Sequence, residues 1–417
     1  MSTIRTVEKR TYRPAVKALN ALAGVAQGLG SKIGTWDMDQ IIKVARRRTG
    51  LHDLGPEDFR VPAQRLFDNL QTAPVTSLGR VVSSQVFHVA LANRLRYQDF
   101  VKRHPDVLDV KIERPVFVLG FPRTGTTVLQ NLLSLHPDRR GLEFWELQRP
   151  IPASENADID RRKRLRAADQ VLKLAYLVAP EMAEVHYIDS TTLEECWPLF
   201  GNSFAVLNWD LQSGMRDYGQ WLIDEYDMTG PYREYRQYLQ ALLWRRPAEQ
   251  LVLKCPEHLW FIDDLLELFP DACIVWTHRD PLDTIASYCS LISMQWRTLY
   301  GDFDPTVIGD HITERFHMGI ERAMDSRSRH AESHFYDMDF RRLVRDPAAA
   351  VRDICSHFDL PYGAGMDDAV AGWLSNKRAD QRGAHKYDAH LYGLAQGEIH
   401  DRYADYIENF EVTVRAA

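Results

Sequence analysis

Residues Pro115 to Leu133, PVFVLGFPRTGTTVLQNLL, leave a chain little choice of local structure. Val116 to Leu119 form a short unbroken apolar run, the pattern of a strand buried on both faces. Glycines follow at 120 and 125, and then Val128, Leu129, Leu132 and Leu133 recur at helical spacing. Strand, glycine loop and helix in that order point the loop's N–H groups and the positive end of the helix dipole at one spot. That arrangement favours an anion whatever the side chains are. The spacing is nearly the G-x-x-x-x-G-K-[ST] of a phosphate-binding loop. Gly120 and Gly125 keep the glycines and Thr127 keeps the hydroxyl, but Thr126 stands where the lysine belongs.

The pattern recurs downstream. QLVLKCP (250–256) reads as a strand, EHLWFIDDLLELFP as a helix, ACIVWTHRDP as a strand and LDTIASYCSLI as a helix. HFYDMDF reads as a further strand, with the helix PAAAVRDICSHF after it. Strands alternating with helices predict an α/β fold, a P-loop-type, mostly parallel sheet flanked by helices. Such sheets bind ligands beyond the carboxyl ends of their strands, where Gly120, Lys254 and Arg279 all fall. Residues 1–110 read instead as a helical N-terminal section. WDMDQIIKVARRRTG stops at Gly50, and SSQVFHVALANRLRYQDFVKRHP ends before Pro105. Residues 111–417 are then the α/β domain, with a helical insertion at about 150–247. That insertion is rich in aromatics: Trp197, Phe200, Phe204, Trp209, Tyr218, Trp221, Tyr226 and Tyr232. Singly they read as core packing; together they could wall an acceptor pocket.

Charge and cysteine usage exclude some classes. Lys and Arg number 51 against 58 acidic residues, a net charge of -7. That argues against a nucleic-acid binder but leaves a local anion site open. The five cysteines include no C-x-x-C, hence no disulfide framework and no zinc spacing, and read as thiols in a reducing compartment. No stretch reaches the roughly 18 uncharged apolar residues of a membrane span. Ala18 to Gly30 is the closest approach to the core of a cleaved signal peptide, but Asn20 and Gln27 interrupt it and Glu8 lies in the region before it. It reads as an amphipathic helix, either on the protein or at a membrane surface, and the expected location is cytoplasmic. RRKRLR (161–166) reads as a solvated helix face.

Charge also bears on which anion the loop takes. ATP or GTP brings Mg²⁺, which needs the loop hydroxyl and a Walker-B aspartate at a strand end. ACIVWTHRD reaches His278 and Arg279 before its aspartate, so a cation stands where a metal ligand would. Arg123 lies inside the loop itself. The site is built to neutralise its ligand with side-chain cations, and no metal is expected. A small-molecule kinase and a catalytically silent nucleotide-binding or scaffold protein are the alternatives.

At this point the motifs resemble a family. FPRTGTT is similar to the 5′-phosphosulfate loop of the sulfotransferases that use 3′-phosphoadenosine 5′-phosphosulfate (PAPS). THRDPLDTIASYCSL resembles their 3′-phosphate motif, with Arg279 at the strand end and Ser287 on the helix. LVLKCPEHLW, LFPDA and FWELQRPIP resemble the large bacterial branch related to the tyrosylprotein enzymes, and the likeness runs from about Leu51 to Leu394. The resemblance implies in-line, metal-independent transfer of a sulfuryl group from PAPS to an acceptor hydroxyl or amine, leaving 3′-phosphoadenosine 5′-phosphate (PAP). It implies that Arg123 grips the phosphosulfate and that Thr124, Gly125, Thr126 and Thr127 hold the 5′-phosphate. Lys254 would stabilise the transferring group, and Arg279 and Ser287 would hold the 3′-phosphate. Lys386, in GAHKYD, is a weaker phosphate candidate. The base would be a carboxylate or a histidine. Glu146 is favoured over Glu143, His136 reads as a packed or capping residue, and His186 and Glu194 are acceptor-side candidates. One departure is Phe340, where the family often has a tyrosine. A small molecule, lipid, glycan or protein tyrosine could each be the acceptor; nucleic acid is not expected, and the oligomeric state is left open.

Overall fold

The computed structural model describes residues 14–379 and 387–415. Five strands form one parallel sheet: β1 (Val116–Leu119), β2 (Arg139–Arg140), β3 (Gln250–Lys254), β4 (Cys273–His278) and β5 (Phe335–Asp339), in the order β2-β3-β1-β4-β5. Val118 of β1 pairs with Lys254 of β3, and Leu119 pairs with Trp276 of β4. This register brings the loop after β1, the end of β3 and the end of β4 to one edge of the sheet.

The sheet is covered on both sides, which is why its central strands read as unbroken apolar runs. Side chains alternate between the faces. Phe117, Leu119, Leu253, Ile274 and Trp276 join one core, whereas Val116, Val118, Val252, Cys273 and Val275 join another. The second core is closed by Leu129, Leu132 and Leu133 of the loop helix (Thr126–Leu133) and by the helix Pro347–His357. The first is larger. It takes in Ile41, Phe67, Phe87 and Leu95 from the helices Met38–Thr49, Arg60–Thr72 and Ser77–Arg103, so the N-terminal helices share a core with the sheet.

The aromatics between 197 and 232 pack into that same core. Phe200, Phe204, Tyr218 and Tyr232 are buried, and Trp197, Trp209, Trp221 and Tyr226 lie partly buried against them. These rings stabilise the helices that carry them; among the described residues they build the core and not an open pocket wall. The strand β2, two buried arginines long, has no counterpart in the sequence reading. A two-residue strand is too short to show a period.

Candidate functional site

The loop holds its shape through positive φ angles and one tight contact. Gly120 (φ 132°) leaves no room for a side chain, because a Cβ there would lie 2.2 Å from Thr277 Oγ1. Gly125 (φ 92°) precedes the first turn of the helix. Arg123 also adopts a positive φ, 76°, a conformation that costs a non-glycine residue and clusters at functional sites. Thr124 is buried, with its hydroxyl bonded to Phe121 O and Thr277 Oγ1, each at 2.6 Å. That hydroxyl ties the loop to β4. Thr126 is buried at the start of the helix and Thr127 is half-buried beside it.

Two guanidinium groups meet behind this loop. Arg123 Nε donates to Ser287 Oγ at 3.1 Å, and Arg279 Nη1 donates to Arg123 O at 2.7 Å. Arg279 lies over the Phe340 ring, 4.4 Å from its centroid, and pairs with Asp283 at 3.2 Å. Asp283 is also shared with Arg415 at 2.5 Å. Burial and the neighbouring charge of Arg279 push Arg123 below the usual guanidinium range. A cation held down in this way gains most from an arriving anion. Arg123, Arg279 and Ser287, far apart in the sequence, are thus brought to one place. Lys386 lies outside the described residues.

On the other side of the loop helix, Lys254 Nζ donates to Thr127 Oγ1 at 3.3 Å and to Glu195 Oε1 at 3.0 Å. Burial pushes the Lys254 ammonium down, but Glu195 and Glu194 outweigh it and hold it above its ordinary value. Glu194 pairs with His186 at 3.2 Å. Burial pushes the Glu194 carboxyl up; His186 and Lys254 pull it further down, so it ends below its usual range. The sequence alone does not single out Glu195. The signal was there, a doubled glutamate in TLEECWP, but nothing in the spacing says which of the two reaches Lys254.

Glu146 sits elsewhere. It is buried, one oxygen bonds the buried Arg140 and lies 3.2 Å from Arg246, and the other accepts from the Glu143 N–H at 3.1 Å. Glu143 completes the capping box of the short helix Phe144–Gln148 and takes a hydrogen bond from Trp145 Nε1. His136 is buried, and its Nδ1 accepts from the Asp138 N–H at 3.3 Å.

A second group came together unseen by the sequence reading. The ligand atoms of Cys196, Cys255 and His258 lie within 4.8 Å of one another, all buried. Cys196 is 59 positions from Cys255, so no local spacing announces the group.

A parallel sheet with a lysine-less glycine loop, and with Arg123, Arg279 and Lys254 gathered around it, defines a P-loop-like α/β protein. Comparison with known proteins carries the class further. Residues 115–364 match the model of the sulfotransferase family, and the chain belongs to that family. It is similar to the crystal structure of sulfotransferase STF1 from Mycobacterium tuberculosis H37Rv, at 30% identity with a TM-score of 0.79, covering 90% of this chain and 100% of that one. STF9 from Mycobacterium avium gives 30% identity and a TM-score of 0.81, covering 91% and 98%. A curated relative is the omega-hydroxy-beta-dihydromenaquinone-9 sulfotransferase Stf3 of Mycobacterium bovis, 24% identical over 260 residues, 59% of this chain. An uncharacterised Aquifex aeolicus protein is 23% identical over 267 residues, 64% of this chain. The chain spans 63% of the length of the Stf3 relative and 28% of the Aquifex protein. Among the described residues no helix is long and apolar enough to cross a membrane.

Proposed function

We propose that this sulfotransferase takes its sulfuryl group from PAPS and passes it to the hydroxyl of an apolar, lipid-like acceptor. The observation that carries the donor reading is the pair of adjoining guanidinium groups at the loop, Arg123 bonded to Ser287 and Arg279 bonded to the Arg123 carbonyl. A nucleotide with separate 5′ and 3′ anionic groups matches two cations better than one triphosphate bound through a metal does. The acceptor reading rests on the name of the Stf3 relative, whose substrate is a hydroxylated menaquinone.

Transfer in this reading runs in line. The acceptor oxygen attacks sulfur, the bond from sulfur to the 5′-phosphate oxygen breaks, and its electron pair leaves on PAP. Arg123, the N–H groups of Thr124 to Thr127 and Lys254 stabilise the charge that builds on the leaving phosphate. No metal is needed for these steps. Glu146 was the favoured base on sequence grounds, but both its oxygens are engaged by Arg140, Arg246 and a backbone N–H. Glu195 supports the role better, because a base must reach the acceptor proton beside the transferring group. It is half-buried and touches Lys254, which touches Thr127. When the donor arrives, its negative charge draws Lys254 from Glu195, and the freed carboxylate takes the acceptor proton. Glu146 then positions the helix Phe144–Gln148.

Thermal melting tests the donor. PAP with EDTA present should raise the melting temperature, since ligand at a hundred times its Kd adds roughly 2.7 kcal/mol. A rise with Mg-ATP and none with PAP would overturn the reading. Transfer of label from [35S]PAPS to geranylgeraniol tests the acceptor class. Labelling of water-soluble phenols or sugars alone would overturn that part.

A further inference from the structure

The helix Pro14–Gly28 wears its polarity inside out. Its polar residues Asn20 and Gln27 face the protein. Asn20 Oδ1 accepts from the Leu78 N–H at 2.9 Å, and Gln27 Nε2 donates to Ser77 O at 3.2 Å. Val16 is buried against Leu78 on the same side. At about 100° per residue, Leu22, Val25 and Leu29 fall on the opposite side. They are exposed, Leu22 at 67% and Leu29 at 83%, and Leu29 is tied to the helix by its N–H bond to Val25 O.

The helix Ala157–Val178 ends beside this one, since Val178 packs on the cluster formed by Val16 and Leu78. Its last turns expose Leu174 (58%) and Leu177 (61%). Its first turns carry the basic run noted in the sequence. Arg164 of that run turns inward to Asp160 at 3.1 Å, while Arg161, Arg162, Lys163 and Arg166 are exposed. Lys163, Arg166, Leu174 and Leu177 share a sector of about 80° on the helix. Exposed leucines therefore continue into exposed cations, in a chain whose net charge is -7. Among the described residues nothing covers these leucines.

We propose that the two helices dock the protein on a bilayer surface that contains anionic lipid. The leucines enter the interface between headgroups and acyl chains, and the cations meet the headgroups. Charge complementarity selects this occupant. A twofold contact of two copies through the same face would set each basic run against its partner's basic run or its leucines, neither of which supplies the negative charge that an anionic headgroup does. The segment Ala179 to Glu195 leads from this surface to Lys254, so a lipid alcohol could be taken up where it lies. That use rests on the apolar-acceptor reading above; the docking does not.

Co-sedimentation of the full chain with extruded vesicles tests it. One vesicle set is pure phosphatidylcholine, and the other carries about 30% phosphatidylglycerol to supply the negative surface potential. Two variants alter only exposed residues, Leu22→Asp/Val25→Asp/Leu29→Asp and Arg162→Glu/Lys163→Glu/Arg166→Glu. The wild type should bind the anionic vesicles at least about tenfold more tightly than either variant, and more tightly than it binds the neutral ones. Both variants should keep the melting shift given by PAP. Sedimentation no greater than in a vesicle-free control would overturn the proposal, as would equal binding by wild type and leucine variant. A wild-type dimer that the leucine variant makes monomeric, without vesicle binding, would assign the face to self-association and overturn it too. Loss of the PAP shift in the wild type itself would count against the donor reading and leave the docking result standing.

Discussion

The two sides of the loop helix are built in opposite ways. On one side, Arg123 and Arg279 stand together, Asp283 is divided between Arg279 and Arg415, and burial with the charge of Arg279 holds Arg123 below its usual range. On the other, Lys254 is matched by two carboxylates, and burial leaves Glu257, three residues on, pushed up to about 8. In the proposed reaction the first side waits for the anionic donor, since Asp283 is divided between Arg279 and Arg415. The second side is already balanced, so its ligand must be neutral or must displace a partner. A charged donor and an apolar alcohol would divide between the two sides in that way.

The strongest break in this comparison is at the glutamates. Glu195→Gln should lower turnover by about 10² to 10⁴, with an alcohol that the wild type sulfates. It should leave PAP affinity nearly intact. Glu146→Gln should instead lower the melting temperature by several degrees. It strips a buried arginine of its partner, which costs about 3–5 kcal/mol when such a pair is broken. Its turnover per folded molecule should stay within a few-fold of wild type. The reverse pattern would return the base to Glu146, and with it the acceptor side to the neighbourhood of β2.

The side that waits for its ligand was also the side legible in the sequence. Its loop is one contiguous segment, and Arg279 and Ser287 lie on one strand end and the helix after it. The neighbouring strands β1 and β4 then bring the two segments together. The balanced side comes from separate pieces. Glu195 lies on an irregular connection with no period to read, and Arg140, which engages Glu146, lies on a two-residue strand. Whether a glutamate meets a lysine or an arginine there depends on how the helices between 157 and 245 pack, which no motif records. The Asn20 and Gln27 contacts are likewise tertiary. The sequence reading marks those two residues as interruptions of an apolar stretch, but not which way they face.

A middling effect should follow at the 3′-phosphate. Arg279→Ala should weaken PAP roughly 10- to 100-fold, the range for one charge-assisted hydrogen bond of about 1.5 to 3 kcal/mol. Adenosine 5′-phosphosulfate, which has no 3′-phosphate, should bind almost as before. Calorimetry with both ligands separates two roles. Arg279 also holds the carbonyl of Arg123, whose φ of 76° needs support from its surroundings. Equal weakening of both ligands would mean that Arg279 acts by shaping the loop and does not read the phosphate.

The smallest effect expected is a slope. Burial pushes the Glu257 carboxyl up to about 8, against the pull of the Leu207 N–H at 2.7 Å and of Asn208 Nδ2 at 3.1 Å. Its ordinary value is 4.5, so between the two the folded protein holds a proton that the unfolded chain has lost. Stability falls with rising pH wherever the folded state binds more protons. The contribution of this group is therefore complete below about 4.5 and gone above about 8. Asp264, pushed up to about 6 by burial, acts in the same direction but over a lower window. The Cys196 thiol, held well below its ordinary value despite burial by hydrogen bonds with Cys255 and His258, acts in the opposite direction over part of that range, so the difference between two melting scans from about pH 6.5 to 8.5 isolates Glu257. Relative to Glu257→Gln, which keeps the neutral form, the wild type should lose melting temperature across that range. Parallel slopes would mean that Glu257 is ionised in the folded protein. The buried carboxylate would then keep its charge on the strength of the Leu207 N–H and the Asn208 amide alone.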